Sequence, residues 1–207
     1  RFNDPPVHNF ISWAGPQAGV FGVPDFNALC PDALCPWLVE LVDDLLRPEG
    51  ASKIAQSLLT FAAYWRSPLN YSSYLENNDF LADINNEKSV KNATYKENFE
   101  SLNALALVYS EKDDIVVPRE SPYFTFFDTV DGTDKKIVPW SEQPIYTEDF
   151  IGLKTLDEAG KVTRWGVSCG HQDIPRDVCK NESYVKYTRD LLDNYLPNST
   201  KPIAHGK

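Results

Sequence analysis

The run Ala104-Leu-Ala-Leu-Val-Tyr-Ser110 constrains the fold of this chain more than any other feature. It reads as a strand that is apolar on both faces, so both faces must be covered, which is how strands of parallel sheets are buried. Two further segments fit the same sheet. Residues 7–14 read as a buried strand running into the Gly/Pro segment 15–24, and residues 161–167 read as a last strand followed by Ser-Cys-Gly-His. Helical patterns lie between and after them, and no internal repeat is visible. Strands alternating with helices predict an α/β class with a mostly parallel sheet.

The first helical pattern places Leu34, Trp37, Leu38, Leu41, Val42, Leu45 and Leu46 at i, i+3, i+4, i+7, i+8, i+11 and i+12, with a stop at Pro48 and Gly50. A second begins near Ser52, carries Ile54, Leu58, Phe61 and Trp65 on one face, and ends before Pro68. Residues 69–100 are polar and rich in Asn and Glu, and read as surface loop and short helix. The stretch from 123–127 to Val138 is ambiguous between helix and strand. A closing helix over 183–196 turns Tyr184, Tyr187, Leu191, Leu192 and Tyr195 inward, and the tail from Pro197 is polar. At 207 residues the chain is about 1.4 times a typical domain, so residues 1–196 are expected to form one unit.

Thirty acidic residues against twenty basic give a net charge of −10, a field that repels nucleic-acid backbones and anionic lipid headgroups. No apolar run approaches the eighteen or so residues a membrane span needs. There is no methionine and the chain starts at Arg1, so a segment is expected to have been removed from its front, a cleaved signal peptide included. Four Asn-x-Ser/Thr triplets begin at Asn70, Asn92, Asn181 and Asn198, and point to surface positions in a protein that passed through a secretory lumen. The four cysteines agree with an oxidising compartment. They allow three connectivities, between which the sequence does not choose. The short loops make Cys30–Cys35 and Cys169–Cys179 the expected pairs. Neither pair has zinc-ribbon spacing and only three histidines exist, so no metal site is expected.

Two strand-end positions bear chemistry. Asp113 follows the strand 104–110 and His171 follows the strand 161–167. In open α/β sheets functional groups sit just beyond the carboxyl ends of strands. An acid followed by a histidine is the second half of the Ser…Asp…His order of α/β-hydrolases. The imidazole takes and returns the nucleophile's proton, while the carboxylate sets its tautomer and stabilises the imidazolium. The competing reading is a solvated turn aspartate and a loop histidine beside a disulfide. A nucleophile is harder to find, because Gly-x-Ser-x-Gly occurs nowhere. Gly15-Pro16-Gln17-Ala18-Gly19 has the glycines at the right offsets, but glutamine cannot attack a carbonyl. Cys169 is a conceivable nucleophile, with a disulfide to Cys179 as its better use. His8 and His205 read as bystanders.

Several blocks together resemble the palmitoyl-protein thioesterases, lysosomal α/β-hydrolases that remove fatty acyl groups from cysteine. They are Asn9-Phe-Ile-Ser with Gly15, Gly19-Val-Phe-Gly-Val-Pro24, Tyr64-Trp65 with Pro68, and Phe80-Leu-Ala-Asp-Ile-Asn85. Further blocks are Asn92 with Tyr95-Lys96, Asp113 with Ile115-Val116 and Pro118, Tyr146-Thr147, Gly152-Leu153-Lys154, Gly160, and Gly170-His171. The resemblance runs from about Arg1 to Leu196 and covers the C-terminal two-thirds of such enzymes. It implies that Asp113 is the triad acid and His171 the triad histidine, with Asp114 on a position usually filled by a small polar residue. Gln17 falls in the Gly-rich loop after the elbow and is not a replaced nucleophile. Sequons near Asn70 and Asn92 also look like family features. Phe2 stands where the family usually has a cysteine.

The resemblance further implies an α/β-hydrolase with a helical cap over an acyl groove at about residues 31–66, which Leu34, Leu38, Leu41, Leu58, Phe61 and Trp65 are candidates to line. The alternative is that these residues only pack on the sheet. The family's serine and oxyanion-hole donors lie upstream of Arg1. The expected partner is therefore an N-terminal chain of the same precursor, ending after a Gly-x-Ser-x-Gly elbow and completing the early strands of the sheet. The expected substrate is an S-acylated protein or peptide, or another acyl thioester, with no cofactor and with a lysosomal or secreted location. A second possibility is a secreted glycoprotein of the same fold that lost the chemistry and binds a lipid or a protein.

Overall fold

A computed structural model describes residues 3–22, 62–128, 136–176 and Cys179. The central element is β2, Ala104–Ser110, between β1, Asn9–Trp13, and β5, Val162–Val167. Both neighbours run parallel to it, with Asn9 opposite Ala104 and Trp13 opposite Val108 on one side, and Leu105 opposite Val162 and Ser110 opposite Val167 on the other. The three strands are those expected from the sequence, and the doubly apolar one is the middle one. The sheet is parallel and carries helices, as an α/β-hydrolase requires.

The two faces of β2 are unequal. Leu105 and Leu107 enter a large cluster with Leu102, Phe124, Ile145, Ile151, Leu153 and Leu156. Ala104 and Ala106 face the other way, where Ile11 and Trp165 of the flanking strands cover them. Small residues on the middle strand leave room for the larger side chains of its neighbours, which is how interlocking layers reach interior density. On the leucine face Arg164 of β5 places its guanidinium 3.3 Å from the ring centroid of Trp140 and pairs with Asp157 at 3.3 Å.

Between β1 and β2 lie α1, Tyr71–Asn77, α2, Leu81–Ile84, and α3, Ala93–Glu100. Asn70 caps α1 by accepting from Ser73 N–H, and Asn92 caps α3 by accepting from Thr94 and Tyr95 N–H. The helices agree with the sequence reading of 69–100, but its surface placement needs correction, because Asn78, Asn85, Asn86 and Glu87 are all buried. These side chains supply hydrogen bonds that buried connecting backbone otherwise lacks. Asn78 donates to the Ala63 carbonyl and accepts from Phe80 and Ala82 N–H, and Asn86 donates to the Asn92 and Phe150 carbonyls.

Trp65 also departs from expectation. The described end of the second helical pattern is a short 3-10 helix, Ala62–Tyr64, and Trp65 then pairs its backbone with Val20 in a parallel bridge. Pro68 disfavours helical backbone just ahead of it, and the segment runs extended along the loop after β1. The Trp65 ring is buried with its centroid 5.1 Å from that of Phe21. The ambiguous stretch resolves into a 3-10 helix, Ser121–Tyr123, and a short antiparallel pair of β3, Phe126–Phe127, with β4, Ile137–Val138. Two helices follow, α4, Pro144–Thr147, and α5, Leu153–Glu158. The expected helices at 34–46 and 183–196 and the tail lie outside the described residues.

The loop 15–22 after β1 is pinned from several sides. Asn85 donates to the Gln17 carbonyl, Arg66 to the Ala18 carbonyl, and the Ser121 hydroxyl to the Gly19 carbonyl. Gly19 has φ +97, and a Cβ there would lie 2.8–2.9 Å from Leu81, Arg66 and the Tyr64 carbonyl, so both conformation and contact require glycine. Arg66 is fully buried beside Glu87, at 3.8 Å, and its guanidinium sits 4.8 Å from the Phe126 ring centroid. Tyr71 donates to the other side of this pair, its hydroxyl 2.9 Å from Glu87 Oε2. Burial, then the Glu87 charge, push the Tyr71 hydroxyl well above its ordinary pKa, so it stays a donor. Removing one member of a buried ion pair strands the other charge. In the full-length protein Glu87→Ala is therefore expected to cost about 3–5 kcal/mol in urea unfolding. Asp79→Ala, which breaks an exposed pair with Lys88, should shift the midpoint far less.

Candidate active site

β2 ends at Ser110, and the chain turns at once, with Asp113 N–H donating to the Ser110 carbonyl. The Asp113 side chain is fully buried. Its Oδ1 accepts from Ile115 and Val116 N–H, both at 2.9 Å, which fixes the carboxylate against its own turn. That leaves Oδ2 aimed across the sheet edge. Asp114 is exposed.

β5 ends one strand over and leads through Ser168, Cys169 and Gly170 to a 3-10 helix, His171–Asp173. Because β2 and β5 are adjacent and parallel, both turns leave the same edge of the sheet. His171 Nδ1 lies 2.8 Å from Asp113 Oδ2. An ionised carboxylate can only accept, so the proton in this contact belongs to Nδ1. A neutral ring then presents Nε2 as a base. The His171 side chain is 30% exposed while its partner is dry, so the ring bridges the interior and the solvent. The hydrogen bond to Asp113 is the main cause that holds the imidazole above its ordinary pKa of 6.5. Partial burial opposes this shift, and the charges of Asp113 and Asp114 add to it.

Cys169 is bonded to Cys179 with Cα atoms 5.9 Å apart, closing a short loop around the histidine. As a disulfide, Cys169 has no thiolate to act as a nucleophile. Ile174 and the two cysteines pack on Ala14, Val108 and Val167, an apolar backing that anchors the histidine loop on the sheet. Gln17 donates its side-chain amide to Ser12 Oγ at 2.7 Å. Asn70 and Asn92 stand at the helix starts already described, and Asn92 is exposed. Leu34, Leu38, Leu41, Leu58, Phe61, Cys30, Cys35, Asn181, Asn198 and His205 lie outside the described residues. The sequence reading missed the backbone donors of Ile115 and Val116. The signal for them is an aspartate two and three residues ahead of the amides it caps, a common turn arrangement.

The pair can relay a proton. The carboxylate holds one tautomer, and the ring can accept a proton at Nε2 and pass it on. Protonation of His171 is favoured in the folded state, so it adds stability that is fully present below about pH 6.5 and is lost as pH rises through the raised folded value. Asp113→Asn should lower the His171 pKa, as read from its ring-proton shifts by NMR. It should also destabilise the protein more at pH 5 than at pH 9. A variant with an unchanged His171 titration would show that the carboxylate does not set it.

Comparison with known proteins gives a consistent picture. A sequence profile described as palmitoyl protein thioesterase matches residues 1–171, a span that ends on the histidine. Palmitoyl-protein thioesterase 3 of Dictyostelium discoideum is 43% identical over 195 residues, covering 94% of this chain and 63% of that protein. Palmitoyl-protein thioesterase 1 of Caenorhabditis elegans is 37% identical over 90% of this chain and 60% of its own length. The lysosomal thioesterase PPT2 of Rattus norvegicus is 31% identical over 76% of this chain and 49% of its own length. The chain thus spans about half to two-thirds of the length of these relatives. By the profile match over most of its residues, the chain belongs to the palmitoyl protein thioesterase family.

Proposed function

We propose that this chain supplies the acid, Asp113, and the general base, His171, of a serine thioester hydrolase that removes long-chain fatty acyl groups from S-acylated cysteine. The observation that carries the reading is the 2.8 Å contact between a fully buried carboxylate and a half-buried imidazole, at the ends of adjacent parallel strands. Family membership supports the substrate class, since the most similar relatives are named as palmitoyl-protein thioesterases. The nucleophile in this reading is a serine from outside these 207 residues, in the same polypeptide or on a companion chain cut from one precursor. Residues 1–196 belong to one α/β-hydrolase domain, residues about 31–66 form the cap over the acyl groove, and 197–207 are a tail.

In the first half-reaction His171 Nε2 takes the serine proton as the oxygen attacks the thioester carbonyl, and Asp113 stabilises the resulting imidazolium. The C–S bond breaks, the thiol leaves with the proton from His171, and an acyl ester of the serine remains. In the second, His171 deprotonates water, which attacks the ester and releases the fatty acid. A lysosomal or secretory-lumen location fits the disulfide at the site and the relatives named as lysosomal thioesterases. In that compartment Asn70, Asn92, Asn181 and Asn198 are acceptors for N-linked glycans.

Two measurements test this reading. In the full-length protein, His171→Ala should cut hydrolysis of a palmitoyl thioester by about a thousandfold or more, with the fold intact by circular dichroism. A fully active variant would leave the non-catalytic, lipid- or protein-binding alternative ahead. Asn92 tests the glycan through its cap. Its Oδ1 serves the helix and its amide nitrogen would carry the sugar. Asn92→Asp should remove one glycan from the intact mass and leave the unfolding midpoint in place. Asn92→Ala should lose the glycan and also about 1 kcal/mol of stability.

A further inference from the structure

The geometry points to Ser110 as a positioning residue: its hydroxyl ties the turn that bears Asp113 to the loop that bears His171, and so keeps the two in register. This inference rests on the reading of Asp113 and His171 as acid and base given above. Ser110 closes an otherwise apolar strand and is fully buried. A hydroxyl there is costly unless it is bonded. It is bonded on both sides. Ser110 Oγ donates to the carbonyl oxygen of Cys169, two residues before His171, and accepts from Lys112 N–H, one residue before Asp113, at 3.2 Å.

The placement matters because the backbone pairing of β2 with β5 runs only to Ser110 opposite Val167, with Glu111 N–H donating to the Val167 carbonyl at 2.8 Å. The reacting groups stand beyond that rung, on two turns that go separate ways. The hydroxyl extends the connection between the strands past the end of the ladder, to the residue whose sulfur is fixed to Cys179. The histidine loop is thus held by the disulfide from one side and by Ser110 from the other. Small displacements of a reacting group are expensive: a shift of about 1 Å can cost about a hundredfold in rate.

The test compares Ser110→Ala with the isosteric pair Ser110→Thr and Ser110→Val in the full-length protein. Ser110→Ala should lower kcat on a palmitoyl thioester by about ten- to a hundredfold at unchanged KM. With the Asp113 contact loosened, the His171 titration read by NMR and the acid limb of the kcat/KM profile should both move to lower pH. Thr keeps the hydroxyl and should restore both readouts, whereas Val should not. The Thr/Val difference decides the matter even if both pack less well than serine. A folded Ser110→Ala or Ser110→Val with kcat and His171 titration as in the parent, whatever its melting temperature, would overturn the inference and leave Ser110 a merely structural group. If His171→Ala stays active, the catalytic reading fails instead. The NMR titration of His171 in the Ser110 variants still reports whether the hydroxyl positions the ring.

Discussion

Everything near the site depends on β2 being hydrogen-bonded to a parallel neighbour on each side. Parallel strands leave a sheet in the same direction, so their following turns meet at one edge. Here this carries the ends of β1, β2 and β5 to a common border, with the loop 15–22, the Asp113 turn and the His171 loop side by side. An antiparallel arrangement of the same strands would send the acid and the histidine to opposite ends. The chemistry is thus a consequence of sheet direction before it is a consequence of residue choice.

Precision comes from buried polar groups around that frame. Arg66, Asn85 and Ser121 hold three successive carbonyls of the loop after β1, and Phe21 N–H of the same loop donates to the Val117 carbonyl of the acid turn. A rigid, satisfied network of this kind lets neither loop drift independently. Its cost is the burial of a guanidinium and a carboxylate, which Tyr71, Asn85 and the ring of Phe126 help to offset.

Much of this was legible in the sequence, for reasons that differ by element. Ala104–Ser110 announced itself because a doubly apolar strand has few alternatives. Asp113 and His171 could be picked out because each follows a strand directly, in the order the mechanism needs. The surface reading of 69–100 failed on burial because Asn and Glu are exposed by habit. Only tertiary partners such as the carbonyls of Ala63, Gln17 and Phe150 make them interior residues. Trp65 fitted a helical face by spacing, yet a long-range pairing with Val20 decided its backbone. Ser110 was invisible as anything but the end of a strand, because its two partners are a carbonyl 59 residues away and an amide in the next turn.

The guanidinium of Arg164 has a consequence beyond packing on Trp140. β5 is the outer strand of the described parallel sheet, and an outer strand presents unpaired backbone that another chain can adopt. A charge that points inward along such a strand, matched to Asp157 within its own chain, is satisfied only at home. A foreign strand laid against this border would gain backbone bonds but offer no second Asp157. The strand that delivers the histidine therefore also carries a device against aggregation, so the solubility of the protein and the reach of its base are written on the same six residues.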